Sequence, residues 1–496
     1  MKRMAFFLTT AFVLALHLPV PAMAGGTVTL NTNEQISAFF ERSKSNEAAL
    51  IAFLHKMPKG ADLHAHPSGS VYPEGMVDTA IAKGLFYDRA QRRFTDKQPV
   101  ENFYAAAELR FDYLKYNEVL DGLSIRNIAK EKESGNVHFF TAFGRFGPAQ
   151  PDMEDQLREI LTRAASQNIS HLELMTSPSS NPDGSINLEK TRAKLSRSNA
   201  ALETARKGLA DAGKAADVSV LWSLTLYRDA APKKNGSPDM EGYAEWWRRQ
   251  VAGTLEAAHL CEDLGAVAMT VLSPEDSWVA RTQFALQFRV IDQEWQAFQK
   301  QYPKNSVRMN PHGGELTLEF SPYADLTTRI SDTLFKGHAS RLGHGVSIMW
   351  DDAVYDVLQT MAARKIALEL CLTSNDGILN VTPERHPFLL YWRAGVPLVL
   401  NTDDEGISRG NLTMEYVRAA QWFNLSYGEL KWLAFSGVEY SFLPGESLFA
   451  DGDFNRPKTG GAVPQNSAKA DCQTRMLRDF AAFEAGMLQN ITLFQP

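Results

Sequence analysis

The hydrophobic positions of this chain change period as it runs. Between residues 33 and 56 they repeat at helical spacing: Ile36, Phe39 and Phe40 fall at i, i+3, i+4, and Leu50, Ile51 and Leu54 share one face. A short apolar strand with His64 and His66 follows. Residues 74–128 read as mostly helical, with a charged, irregular middle at 88–97. Residues 138–146 are dense in aromatics, which suits a helix packed on the core or an apolar lid over a flat ring. From residue 153 a rhythm sets in. Helices at 153–167, 188–212, 243–264, 282–301, 322–334, 351–363 and 387–394 alternate with strands at 169–175, 218–227, 266–272, 306–310, 341–346, 366–372 and 397–401.

With the His64/His66 strand this makes eight strands joined by helical crossovers, which implies a parallel sheet and points to a closed (β/α)8 TIM-type barrel. A doubly wound open sheet is the competing architecture. It lacks support because no glycine-rich phosphate turn follows any strand. The expected organisation is a signal peptide at 1–24, an N-terminal helical extension at 25–56, and a barrel unit at 57–496. That unit carries a helical insertion at about 74–146 and a helical C-terminal tail reaching about 488, interrupted by a polar loop at 451–469.

Composition narrows the function classes. The 496 residues are 44% apolar and 22% charged, enough for a large buried core. A net charge of -7 and the lack of a basic tract argue against a nucleic-acid partner. Lys2 and Arg3 precede an apolar run that ends at Ala22-Met23-Ala24, a small-x-small cleavage site, so export to the periplasm or medium is expected. Cleavage would remove two positive charges and take the net charge from -7 to -9, and no later stretch is apolar enough to span a bilayer. Three cysteines are too few for a disulfide scaffold. Cys371 lies in an apolar strand, and Cys261 with Cys472 is the arithmetically possible pair. The N-terminal helices are a candidate homodimer surface.

Unusual polar residues gather where the strands end, the face on which such barrels carry their chemistry. His64 and His66, two apart, project to one side of a strand. Strand five ends in Pro311-His312-Gly313-Gly314-Glu315, strand six carries His344 between glycines, and strand eight ends in Asn401-Thr402-Asp403-Asp404. Strand four ends near Glu275 and Asp276, and strand seven runs into Thr373-Ser374-Asn375. Each alone reads as a turn or a cap. Together they are hard to explain by packing, which favours Val, Ile and Leu. Three histidines and an aspartate make a mononuclear nitrogen/oxygen metal site, at which a water becomes acidic enough to act as hydroxide at neutral pH. Glu315 is placed to supply a proton and His344 to orient the attacking oxygen. No lysine stands at a strand end to bridge two metals.

Five segments carry a family resemblance: Met-Pro-Lys-Gly-Ala-Asp-Leu-His-Ala-His, His-Gly-Gly-Glu, Arg-Leu-Gly-His-Gly, Leu-Glu-Leu-Cys-Leu-Thr-Ser-Asn and Leu-Asn-Thr-Asp-Asp. In that order, between Met57 and Asp404, the chain resembles the adenosine deaminase family of metal-dependent hydrolases. Export and the long N-terminal region are similar to the secreted adenosine deaminase-related growth factors. The resemblance implies one zinc ion per chain held by His64, His66, His312 and Asp403. It implies Glu315 as donor to the purine ring nitrogen and His344 as the residue steering the hydroxide. Asp404 and Gly69 would contact the purine and the sugar side, with Glu275 and Asp276 near the substrate. The implied reaction turns adenosine or 2'-deoxyadenosine into the 6-oxo nucleoside and ammonia. Another aminopurine, or a secreted binding module without turnover, are the alternatives. After His66 the chain has Pro67 and Ser68 where many adenosine deaminases have Leu and Asp, and the loop Ser273-Pro274-Glu275-Asp276 lacks the usual glycine.

Overall fold

A computed structural model describes residues 30–213, 217–234 and 236–491. The expected signal peptide, and residues 25–29 of the expected extension, lie outside the described residues.

Eight parallel strands form the centre: β1 (Gly60–Ala65), β2 (Ile169–Thr176), β3 (Ser219–Tyr227), β4 (Ala266–Leu272), β5 (Arg308–Met309, resumed at His312–Gly313), β6 (Arg341–His344), β7 (Ala367–Leu370) and β8 (Leu398–Leu400). They pair in sequence order. Every residue of β2 is buried, as expected of a strand covered on both faces. Strand β5 bends in its middle because Pro311 has no N–H for the ladder. Asn310 N–H still donates to Met269 O at 3.2 Å, and Pro311 O accepts from Gly343 N–H at 3.0 Å, so β5 joins the two halves. The ring closes between β8 and β1. Asp403 N–H donates to His64 O at 2.8 Å, and His66 N–H donates to Asp403 O at 3.2 Å. Closure therefore runs through the candidate site.

The periodic helices form with adjusted ends. The expected helix 282–301 is two, Trp278–Thr282 and Phe284–Gln301. The expected helix 322–334 is a 3-10 turn, Tyr323–Asp325, followed by Arg329–Phe335. The strand expected at 366–372 ends at Leu370, and Leu372–Leu379 form a helix that carries Ser374 and Asn375.

The insertion differs more. Its supposedly irregular middle folds as a three-stranded antiparallel sheet of Phe86–Asp88, Arg93–Thr95 and Phe103–Ala105. Each strand buries one aromatic, Tyr87, Phe94 or Tyr104, too few for a detectable period. With helix Gly135–Phe146 these residues build a second apolar core, which packs on Val346, Ile378, Val381 and Ile407 near the strand ends.

The extension splits into Glu34–Ser43 and Glu47–Lys56, because the Asn46 side chain caps the second helix. Phe53 packs on Phe40, Tyr427 and Phe483, with ring centroids 5.2–5.4 Å apart. These aromatics of the N-terminal helices thus pack on the chain's own tail helices, Tyr427–Glu439 and Ala468–Ile491. The pairing of Cys261 with Cys472 does not occur. All three cysteines are free and buried. Among the described residues no helix is long and apolar enough to cross a membrane.

Candidate metal centre and active site

Strand ends bring four side chains to one point. His64, His66, His312 and Asp403 each offer one ligand atom, and these atoms lie within 4.8 Å of one another. The His64 ring sits 4.3 Å from His312 and 5.3 Å from His66. Asp403 Oδ1 stands 3.1 Å from His66 Nε2 and 3.7 Å from His64 Nε2. Asp403 has φ +62° and His344 φ +64°, conformations uncommon for side-chain-bearing residues, and both turn their side chains where a regular strand would not.

Behind the four lie partners that the motifs alone did not reveal. Glu369 Oε2 bonds His64 Nδ1 at 2.7 Å, which puts the proton on Nδ1 and leaves the Nε2 lone pair facing the centre. Nε2 is buried and has no hydrogen-bond partner. Arg341 donates to Glu369 Oε1 and to Glu173 Oε2, each at 2.6 Å, and stacks 3.7 Å over Phe442. Ser374 Oγ donates to Asp403 Oδ2 at 2.7 Å, leaving Oδ1 for the centre.

Electrostatics agree with a cation site. Burial opposes charge on His64, but Glu369 and Asp403 outweigh it and raise its pKa. The same field welcomes a metal ion in place of the proton. Burial and the neighbouring imidazoles push His312 well below its usual value, so it is neutral and ligand-ready. Burial works against the Asp403 carboxylate, yet His66, His64 and His344 hold its pKa below the usual range. The unpartnered His64 nitrogen and the three-imidazole, one-carboxylate set fit a single divalent metal of the zinc type. Cys371 also lies within reach of His64, His344 and Asp403, but burial raises its thiol pKa well above the normal value, which disfavours a thiolate ligand.

Glu315 follows His312 across a turn in which Gly314 takes φ +78°. A Cβ there would sit 2.6 Å from Ile330 Cγ1 and 2.8 Å from Ser347 Oγ. Burial, then Asp403 and Glu275, raise the Glu315 pKa well above the carboxylate range, which favours its protonated form. His344 Nε2 lies 3.7 Å from Glu315 Oε2. Burial, then Asp403, push Asp404 the same way as Glu315, and its Oδ1 is buried without a partner.

The remaining expected site residues are placed differently. Gly69 does not line the cavity; it backs Asp404, since a Cβ there would lie 1.7 Å from Asp404 Oδ1. Glu275 is fully buried between Arg228 and Arg329, at 3.2 and 3.6 Å, and accepts from the backbone N–H groups of Gly314 and Glu315. It shapes the turn that carries Glu315 and does not reach the cavity. Asp276 is half-buried beside it and is also outside the lining.

A cavity of about 300 Å³ opens onto the cluster, at the lower end of ligand-pocket sizes. His66, His312, Glu315, Asp403 and Asp404 line its inner end, and Phe139, Phe140 and Phe143 wall one side. Tyr227, Asp229 and Ser273 line the rest with Ser68, Leu272 and Pro274. Ser273 holds φ +131° and donates Oγ to Asp229 Oδ1 at 2.6 Å. No Lys or Arg belongs to the lining. Asp229, Ser273 and Tyr227 carried no sequence signal; only the missing glycine in the 273–276 loop hinted at this region.

Comparison with known proteins fits this geometry. An aminodeoxyfutalosine deaminase of Streptomyces coelicolor is 38% identical over 144 residues, 28% of this chain and 34% of that protein. An adenosine deaminase of Enterococcus faecalis is 34% identical over 116 residues, 23% and 33% of the two chains. The matches thus span about a third of the length of these relatives. An amidohydrolase of Burkholderia ambifaria, solved with bound zinc, superposes with a TM-score of 0.53 at 16% identity, covering 88% of this chain and 94% of that one, which shows a shared fold. The family model for adenosine deaminase matches residues 245–448, the stretch that carries His312, Glu315, His344, Asp403 and Asp404.

Proposed function

We propose that this protein hydrolyses the exocyclic amine of a 6-aminopurine nucleoside, adenosine or 2'-deoxyadenosine, giving the 6-oxo nucleoside and ammonia. The observation that carries the reading is a buried carboxyl group, Glu315, beside a three-histidine, one-aspartate cluster at the end of a partly aromatic cavity. A zinc ion held by His64, His66, His312 and Asp403 would make water nucleophilic at neutral pH.

The chain's own groups supply the remainder. One C–O bond forms at the amine-bearing ring carbon, and the C–N bond breaks. Glu315, protonated, donates to the adjacent ring nitrogen as the oxygen adds, so negative charge does not build up on the ring. Asp404, also protonated, can donate to an acceptor nitrogen of the five-membered ring, satisfying an otherwise unpartnered buried oxygen. The three phenylalanines offer apolar faces to a flat heterocycle and exclude water. Four carboxyl groups and no Lys or Arg in the lining disfavour a phosphorylated substrate. Asp229 and Ser273, at the part of the lining away from the metal ligands, suit sugar hydroxyls. The resemblance of part of the chain to an aminodeoxyfutalosine deaminase keeps a modified nucleoside as the second reading. Residues 1–24 support an exported enzyme.

Loss of adenosine absorbance on incubation with the purified mature protein tests the proposal. Turnover should disappear with Glu315→Gln and with chelator, and return when zinc is restored. Turnover of another aminopurine instead moves the substrate and keeps the chemistry. No turnover across a nucleoside panel by metal-loaded protein overturns the reading and favours a binding module.

A further inference from the structure

The side chain of His344 ends in a nitrogen, Nε2, that is buried, faces Glu315 and has no partner. Whether this nitrogen carries a proton decides what it can do. A bare nitrogen could accept a proton from water; an N–H could only donate a hydrogen bond. The answer lies in a chain of contacts leading away from the cavity.

The chain starts at a group with no ambiguity. The backbone N–H of Phe388 donates to His386 Nδ1 at 3.1 Å. A backbone N–H can only donate, so His386 Nδ1 is bare. A neutral imidazole must protonate its other nitrogen, so His386 Nε2 bears hydrogen. It lies 3.2 Å from Asn375 Oδ1 and donates to it. The amide orientation is therefore fixed. With the amide reversed, both nitrogens of His386 would have to accept, leaving the ring without a proton. Asn375 Nδ2 then faces His344 Nδ1 at 3.2 Å and donates to it. An amide NH2 cannot accept, so His344 Nδ1 is bare and the proton sits on Nε2. His344, Asn375, His386 and Phe388 are all buried, which removes water as an alternative partner. Burial also lowers the pKa of both imidazoles to about 4, in accord with neutral rings.

We infer that His386 and Asn375 are positioning residues that lock His344 in its Nε2–H form, making it a hydrogen-bond donor to the reacting water rather than its base. The functional half of this statement rests on the deaminase reading; the tautomer does not. Asn375 stands out in the sequence only as a polar residue after strand seven, and His386 carries no sequence signal at all.

The test is the protonation pattern of the imidazoles by nitrogen-15 NMR on the full mature chain with zinc bound. The His344 signals are assigned by their loss in His344→Gln. The expected wild-type pattern is a protonated Nε2 and a bare Nδ1. Asn375→Asp keeps the shape but turns the donor into an acceptor, so the proton should move to Nδ1, with kcat falling about 100-fold or more and KM changing by less than about threefold. His386→Glu should act likewise, by reversing the Asn375 amide. His386→Gln, which can still accept from Phe388 N–H and donate to Asn375, should keep the wild-type tautomer and most of kcat. A protonated Nδ1 in the wild type overturns the inference, as does unchanged kcat in a folded Asn375→Asp variant. Should no aminopurine be turned over, the deaminase reading falls while the NMR pattern still decides the tautomer.

Discussion

The inner and outer ends of the cavity are built differently. At the inner end several groups have a second partner behind them. His64 is held by Glu369, which is held by Arg341; Asp403 is held by Ser374; the turn carrying Glu315 is held by Glu275. The supporting groups are buried and come from elements far apart in sequence. Toward the outside, Asp229 is exposed, Tyr227 keeps 47% of its surface and Ser273 relies on one hydrogen bond. One end is preorganised for a fixed charge pattern, as catalysis by electrostatics requires. The other is adaptable, as choice among substrates requires.

That contrast can be broken at the inner end first. Glu315→Gln keeps the shape and removes the proton, so kcat should drop by about 1,000-fold with little change in KM, read by the absorbance assay. His312→Ala removes a ligand; bound zinc, measured by elemental analysis, should fall well below one per chain, and activity with it. One layer further back, Glu369→Gln should weaken metal affinity by about 10- to 100-fold in a chelator competition, because the His64 tautomer is no longer fixed.

Acidity offers a separate handle on the same layer. Burial alone would raise the Glu173 pKa, but Arg341 and His171 hold it at about 2. The folded state therefore binds this proton less tightly than the unfolded chain, whose Glu titrates near 4.5. The contribution is complete above that value and is lost as pH falls from about 4.5 through 2. Arg341→Met should weaken this acid-range dependence of Tm. At the other extreme, activity should fall as pH rises through the elevated pKa of Glu315, whose protonated form is the donor.

The smallest effects belong to the outer end. Asp229→Asn should raise KM for a nucleoside by about tenfold, the scale of one hydrogen bond to a charged group, and leave zinc content unchanged. Phe143→Ala should raise KM a few-fold. A large loss of kcat from either would show that the two ends are not separate.

Much of this design was legible in the chain. Eight apolar runs spaced by helices gave the barrel, because a strand covered on both faces must be apolar throughout. His64, His66, His312, Glu315, His344, Asp403 and Asp404 stood out because charged and imidazole groups at strand ends conflict with core packing. The small sheet at 86–105 was missed because three-residue strands show no period. Glu275 was misplaced because a carboxylate in a loop after a strand looks the same whether it meets a substrate or two arginines.

What the sequence determined by itself, then, was the fold class and the set of candidate metal-binding and acid groups, since both follow from local periodicity and from residue types at fixed offsets. Only the tertiary structure decided how those groups are held and tuned. Arg341 meets Glu173 and Glu369 from two other strands, His386 reaches His344 through Asn375, and Asp229 meets Ser273 across a loop. Hydrogen-bond direction and local field depend on which groups closure of the barrel brings within about 3 Å of one another, and that is not encoded in any single stretch of the chain.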